Sequence, residues 1–173
     1  MYKLKVAFFD RDGTIIEDYP DNSWTSIKHP VFIDGSINTL KEVIKKGYKI
    51  IIVTNQYIIN EGYITMDQYN DLNNQMEREL THQGVELLDV FYCPHGKGEG
   101  CTCIKPNIGM IKEAILKYPE INLEESFIIG DSAVDVELAL NIGIKGFGIR
   151  VGSNYKEANI YELDSIKDLT RYI

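Results

Sequence analysis

Short apolar runs of strand length alternate along the chain with stretches whose apolar residues recur at helical spacing. The runs lie at Val6–Phe9, Lys49–Val53, Leu87–Tyr92, Phe127–Ile129 and Gly146–Val151. Continuous β-branched runs separated by amphipathic helices are typical of a parallel sheet that is covered on both faces. The pattern therefore predicts a doubly wound, Rossmann-like α/β fold with a parallel sheet of about five strands.

Capping residues mark the ends of the predicted helices. One helix opens at Thr65, where Gln68 completes a capping box, and ends near Gly84. The tail after Gly152 is predicted to form a peripheral turn and a helix. One helix and a loop fill the interval from Asp10 to Thr54, and a helix, a strand and a loop fill the interval from Asn55 to Lys105, so neither interval leaves space for a large lid domain. We therefore predict that residues 1–173 form a single domain without a large cap domain.

The charge balance of the chain is acidic, with 18 Lys and Arg residues against 26 Asp and Glu residues and a formal net charge of −8. This balance disfavours nucleic-acid binding, because affinity for the phosphate backbone comes largely from Lys and Arg. The apolar runs fall far short of the ~20 residues that a membrane span requires, and the first residues lack the pattern of a signal peptide. We expect a cytoplasmic protein, a monomer or weak dimer, that acts on a small molecule.

Polar side chains follow three of the predicted strands. They occur in Asp10-Arg11-Asp12-Gly13-Thr14, in Thr54-Asn55-Gln56 and in Gly130-Asp131-Ser132, with Asp135 four positions beyond Asp131. Ligands gather at the carboxyl ends of parallel strands, so we expect these side chains to meet. Carboxylates grouped there repel one another unless a cation lies among them, and an oxygen-rich site suits Mg²⁺. The sequence therefore predicts a magnesium site.

The same side chains favour phosphoryl transfer. Lys105 and the polar groups of Thr54 and Asn55 would hold phosphate oxygens. One aspartate attacks phosphorus to form an aspartyl-phosphate, while the other, two residues on, protonates the leaving oxygen and later deprotonates water. Each motif alone has a simpler explanation, since Asp-Gly is a common turn pair and Asp-Ser a common helix cap. Their combination at three strand ends favours an active site.

Taken in order, the motifs resemble those of the haloacid dehalogenase superfamily of phosphotransferases. The matching residues are Asp10-Arg11-Asp12-Gly13-Thr14, Thr54, Lys105 and Gly130-Asp131 with Asp135. The resemblance implies that Asp10 is the nucleophile and Asp12 the general acid and base. It further implies that the carboxylates of Asp10 and Asp131 and the carbonyl of Asp12 hold Mg²⁺. Thr54 and Lys105 position the phosphoryl group in that superfamily, and we assign Arg11 and Asn55 to phosphate binding and Asp135 to a supporting role.

A cluster of metal-ligand residues precedes Lys105. The three cysteines of the chain, Cys93, Cys101 and Cys103, fall within eleven positions together with His95. Three thiolates and one imidazole are the ligand set and number of a closed tetrahedral zinc site. Free thiols on a Gly-rich loop are the alternative, but four candidate ligands so close together favour zinc. We predict a structural zinc loop at 93–103 that fixes the segment leading into Lys105.

This cysteine-rich insert before Lys105-Pro106 resembles the zinc-containing subgroup of D-glycero-D-manno-heptose 1,7-bisphosphate phosphatase and the histidinol-phosphate phosphatase domain. The resemblance implies a Mg²⁺-dependent hydrolase of a sugar phosphate or bisphosphate, with histidinol phosphate as the alternative substrate. The subgroup usually has Arg where this chain has Ile104, and the heptose enzyme has Arg where this chain has Glu61. Two missing cations would weaken the binding of a second phosphate. We therefore hypothesise a preference for a sugar monophosphate, or for a bisphosphate whose distal group other residues hold.

Two other functions stay open. A phosphorylation-switch receiver domain is also doubly wound and acidic, but its phosphorylated Asp is expected at the end of the third strand, where this chain has Tyr92-Cys93-Pro94-His95. A polynucleotide 3′-phosphatase would use the same chemistry as the proposed enzyme, and the net charge of −8 argues against it.

Overall fold

The computed structural model describes residues 2–173, in which six parallel strands form one sheet. The strands are β1 Val6–Phe9, β2 Lys49–Asn55, β3 Asp89–Cys93, β4 Phe127–Gly130, β5 Lys145–Ile149 and β6 Ile160–Leu163. Their order across the sheet is β3-β2-β1-β4-β5-β6. The predicted doubly wound α/β class is confirmed, and the sheet, predicted to have about five strands, has six.

The additional strand, β6, lies in the tail for which the sequence predicts only a turn and a helix. It has four residues, too few to give a clear alternation of apolar and polar positions. Pairing with β5, in register from Gly146 with Ile160 to Ile149 with Leu163, makes it the edge of the sheet. A 3₁₀ helix, Ile166–Arg171, then takes the place of the predicted terminal helix.

Helices cover both faces of the sheet. They are α1 Ser36–Lys45, α2 Met66–His82, α3 Gly109–Lys117 and α4 Ala133–Ile142. Ala7 and Phe9 of β1 belong to the core shared with α1 and α2, whereas Val6 and Phe8 belong to the core shared with α3 and α4. Because both faces are buried, the strand reads as a continuous apolar run.

The helix α2 begins with the predicted capping box. The N–H of Gln68 donates to Thr65 Oγ1 at 3.1 Å, and the N–H of Thr65 donates to Gln68 Oε1 at 2.9 Å. The two hydrogen bonds satisfy amide groups that would otherwise be unpaired at the start of the helix. Among residues 2–173, no helix is long and apolar enough to cross a membrane.

The strand order reverses between β1 and β4, which places a crevice at the carboxyl ends of these two strands. Asp10 follows β1 directly, and its N–H donates to the carbonyl of Ile129 in β4 at 2.9 Å. Within the described part of the chain, the segment between β1 and α1 holds one short 3₁₀ helix, Asp21–Ser26, and no large cap covers the crevice. The fold therefore leaves Asp10 at an open edge of the sheet.

Candidate active site

An open cavity of about 180 Å³ lies at this edge. Its charged lining consists of Lys105 and the aspartates Asp10, Asp12, Asp18, Asp21, Asp131 and Asp135. The other lining residues are Trp24, Thr54, Asn55, Tyr57, Ile58, Ser132 and Val134. The structure therefore brings residues from all four sequence motifs into one cavity.

Lys105 forms the centre of the charged cluster. Its Nζ donates to Asp10 Oδ1 at 2.9 Å and to Asp135 Oδ1 at 2.7 Å, and its side chain is only 2 % exposed. Burial by itself lowers the pKa of Lys105, but the charges of Asp10 and Asp135 outweigh this effect and raise it. The side chain is therefore a fixed cation beside the carboxylate of Asp10.

The backbone of Lys105 is held by Asn55 at the end of β2. The Lys105 N–H donates to Asn55 Oδ1 at 2.7 Å, and Asn55 Nδ2 donates to the Lys105 carbonyl at 3.1 Å. This reciprocal pair ties the second motif to the third. Asn55, which is predicted to bind phosphate, lines the cavity, and its side-chain amide binds the backbone of Lys105.

Three carboxylates, two of them bound by Lys105, meet in the cavity. Oxygen atoms of Asp10, Asp131 and Asp135 lie within 4.8 Å of one another. Burial and the charge of Asp10 raise the pKa of Asp131 to about 8, and the same two causes raise the pKa of Asp135 to about 7. A divalent cation would relieve this repulsion, and an all-oxygen donor set is the one that Mg²⁺ prefers.

The turn after β1 approaches this group closely because it contains Gly13. A Cβ atom on Gly13 would lie 2.0 Å from Asp131 Oδ2, and the backbone φ of +83° also favours glycine. A larger residue would displace the Asp131 carboxylate. The Asp-Gly pair of the first motif is therefore both a turn and a requirement of the site.

The carboxylate of Asp12 faces a different set of donors. Oδ1 accepts a hydrogen bond from Arg11 Nε at 2.8 Å, and Oδ2 accepts one from Gln56 Nε2 at 2.8 Å. The side chain is 14 % exposed and lines the cavity. The predicted metal ligand of this residue is its backbone carbonyl, which leaves the carboxylate available for proton transfer.

Arg11 is a predicted phosphate-binding residue whose side chain the structure does not bring to the cavity lining. The residue is 1 % exposed, and its guanidinium carbon lies 5.2 Å and 5.9 Å from the ring centroids of Tyr69 and Trp24. Asp12 compensates the buried charge. The Arg11 side chain therefore positions the Asp12 carboxylate rather than contacting the cavity.

Several residues of the site had no predicted role. Thr14 Oγ1 donates to Asp10 Oδ2 at 3.4 Å, and the hydroxyl of Tyr57 donates to Asp21 Oδ1 at 2.8 Å. Asp18 and Asp21 occur in a polar stretch after the first motif. Acidic residues in such a stretch usually lie on the surface, so the sequence gives no reason to assign them to the site. Only the return of this stretch over the strand ends brings them to the cavity.

The predicted zinc ligands also come together. Ligand atoms of Cys93, His95, Cys101 and Cys103 lie within 4.8 Å of one another, and Cys93 Sγ is 3.6 Å from Cys101 Sγ. Zinc–sulfur bonds of about 2.3 Å in a tetrahedron place two sulfur atoms roughly 3.7 Å apart. The four residues therefore offer the donor set of a zinc ion in one cluster, in which Cys93 Sγ and Cys103 Sγ, at 2.6 Å, lie closer than two zinc-bound sulfur atoms would.

Ile104 and Glu61 do not line the cavity. Ile104 packs against the core shared with α3 and α4, and Glu61 is exposed beside Gly96 of the cysteine loop. The hypothesis that these two residues weaken the binding of a second phosphate therefore has no support from the geometry.

Comparison with known families gives this site its context. The family described as polynucleotide kinase 3 phosphatase matches residues 5–156, and the chain belongs to this family. The resemblance drawn from the sequence motifs is confirmed by the relatives of the chain.

Two relatives and one solved structure illustrate the similarity. The chain is 38% identical to D-glycero-beta-D-manno-heptose-1,7-bisphosphate 7-phosphatase of Haemophilus influenzae, over 98% of this chain and 96% of that protein. It is 35% identical to the histidine biosynthesis bifunctional protein HisB of Campylobacter jejuni subsp. doylei, over 82% of this chain and 40% of that protein. The fold matches D,D-heptose 1,7-bisphosphate phosphatase from B. bronchiseptica, crystallised with magnesium and phosphate, with a TM-score of 0.83, 22% identity and 97% of each chain covered.

Proposed function

We propose that the protein is a Mg²⁺-dependent phosphatase that hydrolyses a small sugar phosphate or bisphosphate in the cytoplasm through an aspartyl-phosphate. The observation that carries the proposal is the placement of Lys105 between Asp10 and Asp135, at 2.9 Å and 2.7 Å, in the cavity that Asp12 and Asp131 also line. The named activity of the relatives that match nearly the whole chain supports this function.

Asp10 is the proposed nucleophile. A carboxylate oxygen of Asp10 bonds to phosphorus while the bond from phosphorus to the leaving oxygen breaks. Lys105 and Thr14 orient the Asp10 carboxylate through hydrogen bonds to its two oxygens. Lys105 also offsets the negative charge that accumulates as phosphate and carboxylate approach each other.

Asp12 is the proposed general acid and base. It gives its proton to the leaving oxygen in the first step, and as a carboxylate it takes a proton from the water that attacks the aspartyl-phosphate. That second step breaks the bond between phosphorus and Asp10 and releases inorganic phosphate. Arg11 and Gln56 donate to the two oxygens of the Asp12 carboxylate, whereas Lys105 and Thr14 donate to those of Asp10, so the two aspartates lie in different environments.

The proposed magnesium ligands are the carboxylates of Asp10 and Asp131 and the backbone carbonyl of Asp12. Bound Mg²⁺ would supply Lewis-acid stabilisation of the charge on the phosphoryl oxygens. Asp135, which the structure brings to the same cluster, is bound by Lys105 and by the N–H of Ser132 at 3.2 Å. It therefore serves mainly to hold Lys105.

We assign the leaving group to the part of the cavity that is lined by residues outside the four motifs. Trp24 and Tyr57 offer aromatic surface there, and Asp18 and Asp21 offer hydrogen-bond acceptors. Carboxylates accept hydrogen bonds from hydroxyl groups and repel phosphates. We therefore assign the sugar hydroxyls to this part of the cavity, with any second phosphate lying outside it.

A phosphate-release screen tests the function. The panel contains sugar monophosphates, heptose 1,7-bisphosphate, histidinol phosphate and a 3′-phosphorylated oligonucleotide, each with Mg²⁺ and with excess chelator. We expect multiple turnovers on a sugar phosphate or bisphosphate that the chelator stops. A preference for histidinol phosphate would favour the alternative substrate that the sequence resemblance implies, and a preference for the oligonucleotide would contradict the inference from net charge. A single turnover on every substrate would support the receiver alternative.

Asp12→Asn is expected to act according to the leaving group. Loss of general acid catalysis costs about 10²–10⁴ in rate where the leaving oxygen needs a proton. An alkyl phosphate needs that proton, whereas 4-nitrophenyl phosphate does not. The measurement is the burst of 4-nitrophenol and the steady-state rate on both substrates. Equal losses of kcat/KM, which reports the first step, would argue against the acid role of Asp12, whereas an equal loss of kcat is expected from its role as base in the second step.

We also propose one structural zinc ion, held by Cys93, His95, Cys101 and Cys103. The loop that carries these ligands contacts the segment lining the cavity. Asn60 Nδ2 donates to Glu99 Oε1 at 3.1 Å, and Lys97 Nζ lies 4.1 Å from the ring centroid of Tyr57. A fixed loop would therefore steady Tyr57 as well as the segment leading into Lys105.

Removing the zinc is expected to loosen this loop and to lower activity indirectly. Elemental analysis should find one zinc per chain in protein purified without chelator, with its three thiols protected from titration. After zinc removal, limited proteolysis should cut within residues 94–103. Zinc-free protein with fully reactive thiols and unchanged activity would refute this proposal.

A further inference from the structure

Gln56, just after β2, is fully buried between two residues of the proposed active site. Its Nε2 donates to Asp12 Oδ2 at 2.8 Å and to Thr54 Oγ1 at 2.9 Å. A carboxylate can only accept hydrogen bonds, so the nitrogen of the amide is the atom that faces Asp12. One NH₂ group therefore joins the proposed general acid to the proposed phosphate-binding hydroxyl.

This orientation decides what the Thr54 hydroxyl can do. Because Thr54 Oγ1 accepts from Gln56, its own hydrogen is free to donate to another acceptor. Thr54 lines the cavity, so its hydroxyl can donate this hydrogen to a phosphoryl oxygen of a bound substrate. With the amide reversed, the hydroxyl would instead donate to the Gln56 oxygen.

The oxygen of the Gln56 amide makes no comparable contact. Its Oε1 is buried and accepts no hydrogen bond from any of the described residues. An unpaired buried acceptor is unfavourable for stability. The oxygen of the Gln56 amide therefore adds no stability to the fold. Among the residues that the structure describes, the only hydrogen-bond partners of the side chain are Asp12 and Thr54, which accept from its nitrogen.

We propose that Gln56 is a positioning residue that sets the direction of the Asp12 carboxylate and of the Thr54 hydroxyl. The inference rests on the proposed function, in which Asp12 protonates the leaving oxygen. Proton transfer requires a well-oriented acid, whereas phosphate binding is common to all substrates. Loss of Gln56 should therefore fall most heavily on substrates whose leaving group needs a proton.

Gln56→Met tests the proposal because methionine has a similar size and lacks the donor. We expect kcat/KM for an alkyl sugar phosphate to fall about thirty-fold or more, and kcat/KM for 4-nitrophenyl phosphate about three-fold or less. In the Asp12→Asn background, adding Gln56→Met should change both substrates by the same factor. The exposed Gln83→Met, which removes a hydrogen bond to Glu79, is the matched control and should change neither.

The thermal unfolding midpoint of each variant is measured together with its kinetics, to show that the variant is folded. An equal loss on both substrates, or a selective loss that persists with Asp12→Asn, would overturn the proposal. If Gln56→Met does not fold, the same ratio is measured with Gln56→Glu, which keeps the shape and brings a carboxylate against Asp12. A selective loss there supports the proposal and an equal loss overturns it. An inactive wild-type chain would instead overturn the proposed function itself, and this inference with it.

Discussion

Replacing Asp10 with Asn is expected to abolish turnover and phosphoenzyme formation. An amide is a far poorer nucleophile than a carboxylate, and it is a weaker ligand for Mg²⁺. In this structure Asp10 also accepts the hydrogen bond of Lys105 at 2.9 Å, so the change weakens the charge pairing that orients the site. The first measurement is phosphate release at saturating substrate. The second is the amount of aspartyl-phosphate trapped by acid, or of a fluoride complex that mimics the phosphoryl group on the enzyme.

The loss should appear without unfolding. Asp10 is one of three mutually repelling carboxylates, and its neutralisation relieves part of the charge that raises the pKa of Asp131. We therefore expect a thermal unfolding midpoint at or above that of the wild type in the absence of Mg²⁺. Asp164→Asn, an exposed change of the same chemistry, is the matched control. Activity of Asp10→Asn near the wild-type level would refute the mechanism.

Much of the fold could be predicted because the strands are buried on both faces. Val6–Phe9 is apolar throughout, and such runs stand out from the amphipathic helices between them. The edge strand Ile160–Leu163 was missed because an edge strand is half exposed and this one has only four residues. Its place in the sheet depends on pairing with β5, which is a tertiary contact rather than a local pattern.

The residues that do the proposed chemistry could be predicted for a related reason. Asp10, Thr54 and Asp131 lie at the ends of strands, where the topology of a parallel sheet brings side chains together whatever the loops do. Cys93 likewise ends β3, so the first zinc ligand has a fixed position. Spacing along the chain was sufficient for these residues.

Side-chain direction is what the sequence did not reveal. The motif places Arg11 next to two catalytic candidates, and a cation there suggests phosphate binding. In the structure its guanidinium packs near Trp24 and Tyr69 and bonds to Asp12, so it acts from behind the site. Asn55 and Gln56 similarly turn to Lys105 and Asp12, contacts that depend on residues distant in sequence.

Lys105→Met is expected to reduce both activity and stability strongly. Lys105 is 2 % exposed and is paired with Asp10 and with Asp135, whose side chain is 1 % exposed. Removing one partner of a buried ion pair leaves an uncompensated charge and costs about 3–5 kcal/mol. Loss of a cation at the phosphoryl group should also lower kcat/KM by about 10²–10³. The measurements are chemical unfolding and phosphate release.

Lys117→Met is the matched control, because Lys117 is 59 % exposed and its partner Asp89, at 19 %, keeps the hydrogen bond of the Tyr118 hydroxyl when the lysine is removed. Such a pair contributes about 0–1 kcal/mol, so this variant should unfold almost like the wild type. Equal stability losses in the two variants would contradict the role of Lys105.

The pH dependence of the Lys105→Met deficit separates charge from packing. The pKa of Asp135 is about 7 in the folded protein even with Lys105 beside it, and loss of that cation raises the pKa further. A carboxyl group with a higher pKa in the folded state than in the unfolded state lowers the free energy of unfolding when it ionises. This destabilisation grows as the pH rises from the unfolded pKa to the folded pKa. Near pH 5 the proton stays on Asp135 in the folded variant, and the penalty of the unpaired charge is largely relieved. The deficit relative to the wild type should therefore be larger at pH 8 than at pH 5, whereas a loss of packing alone would be the same at both.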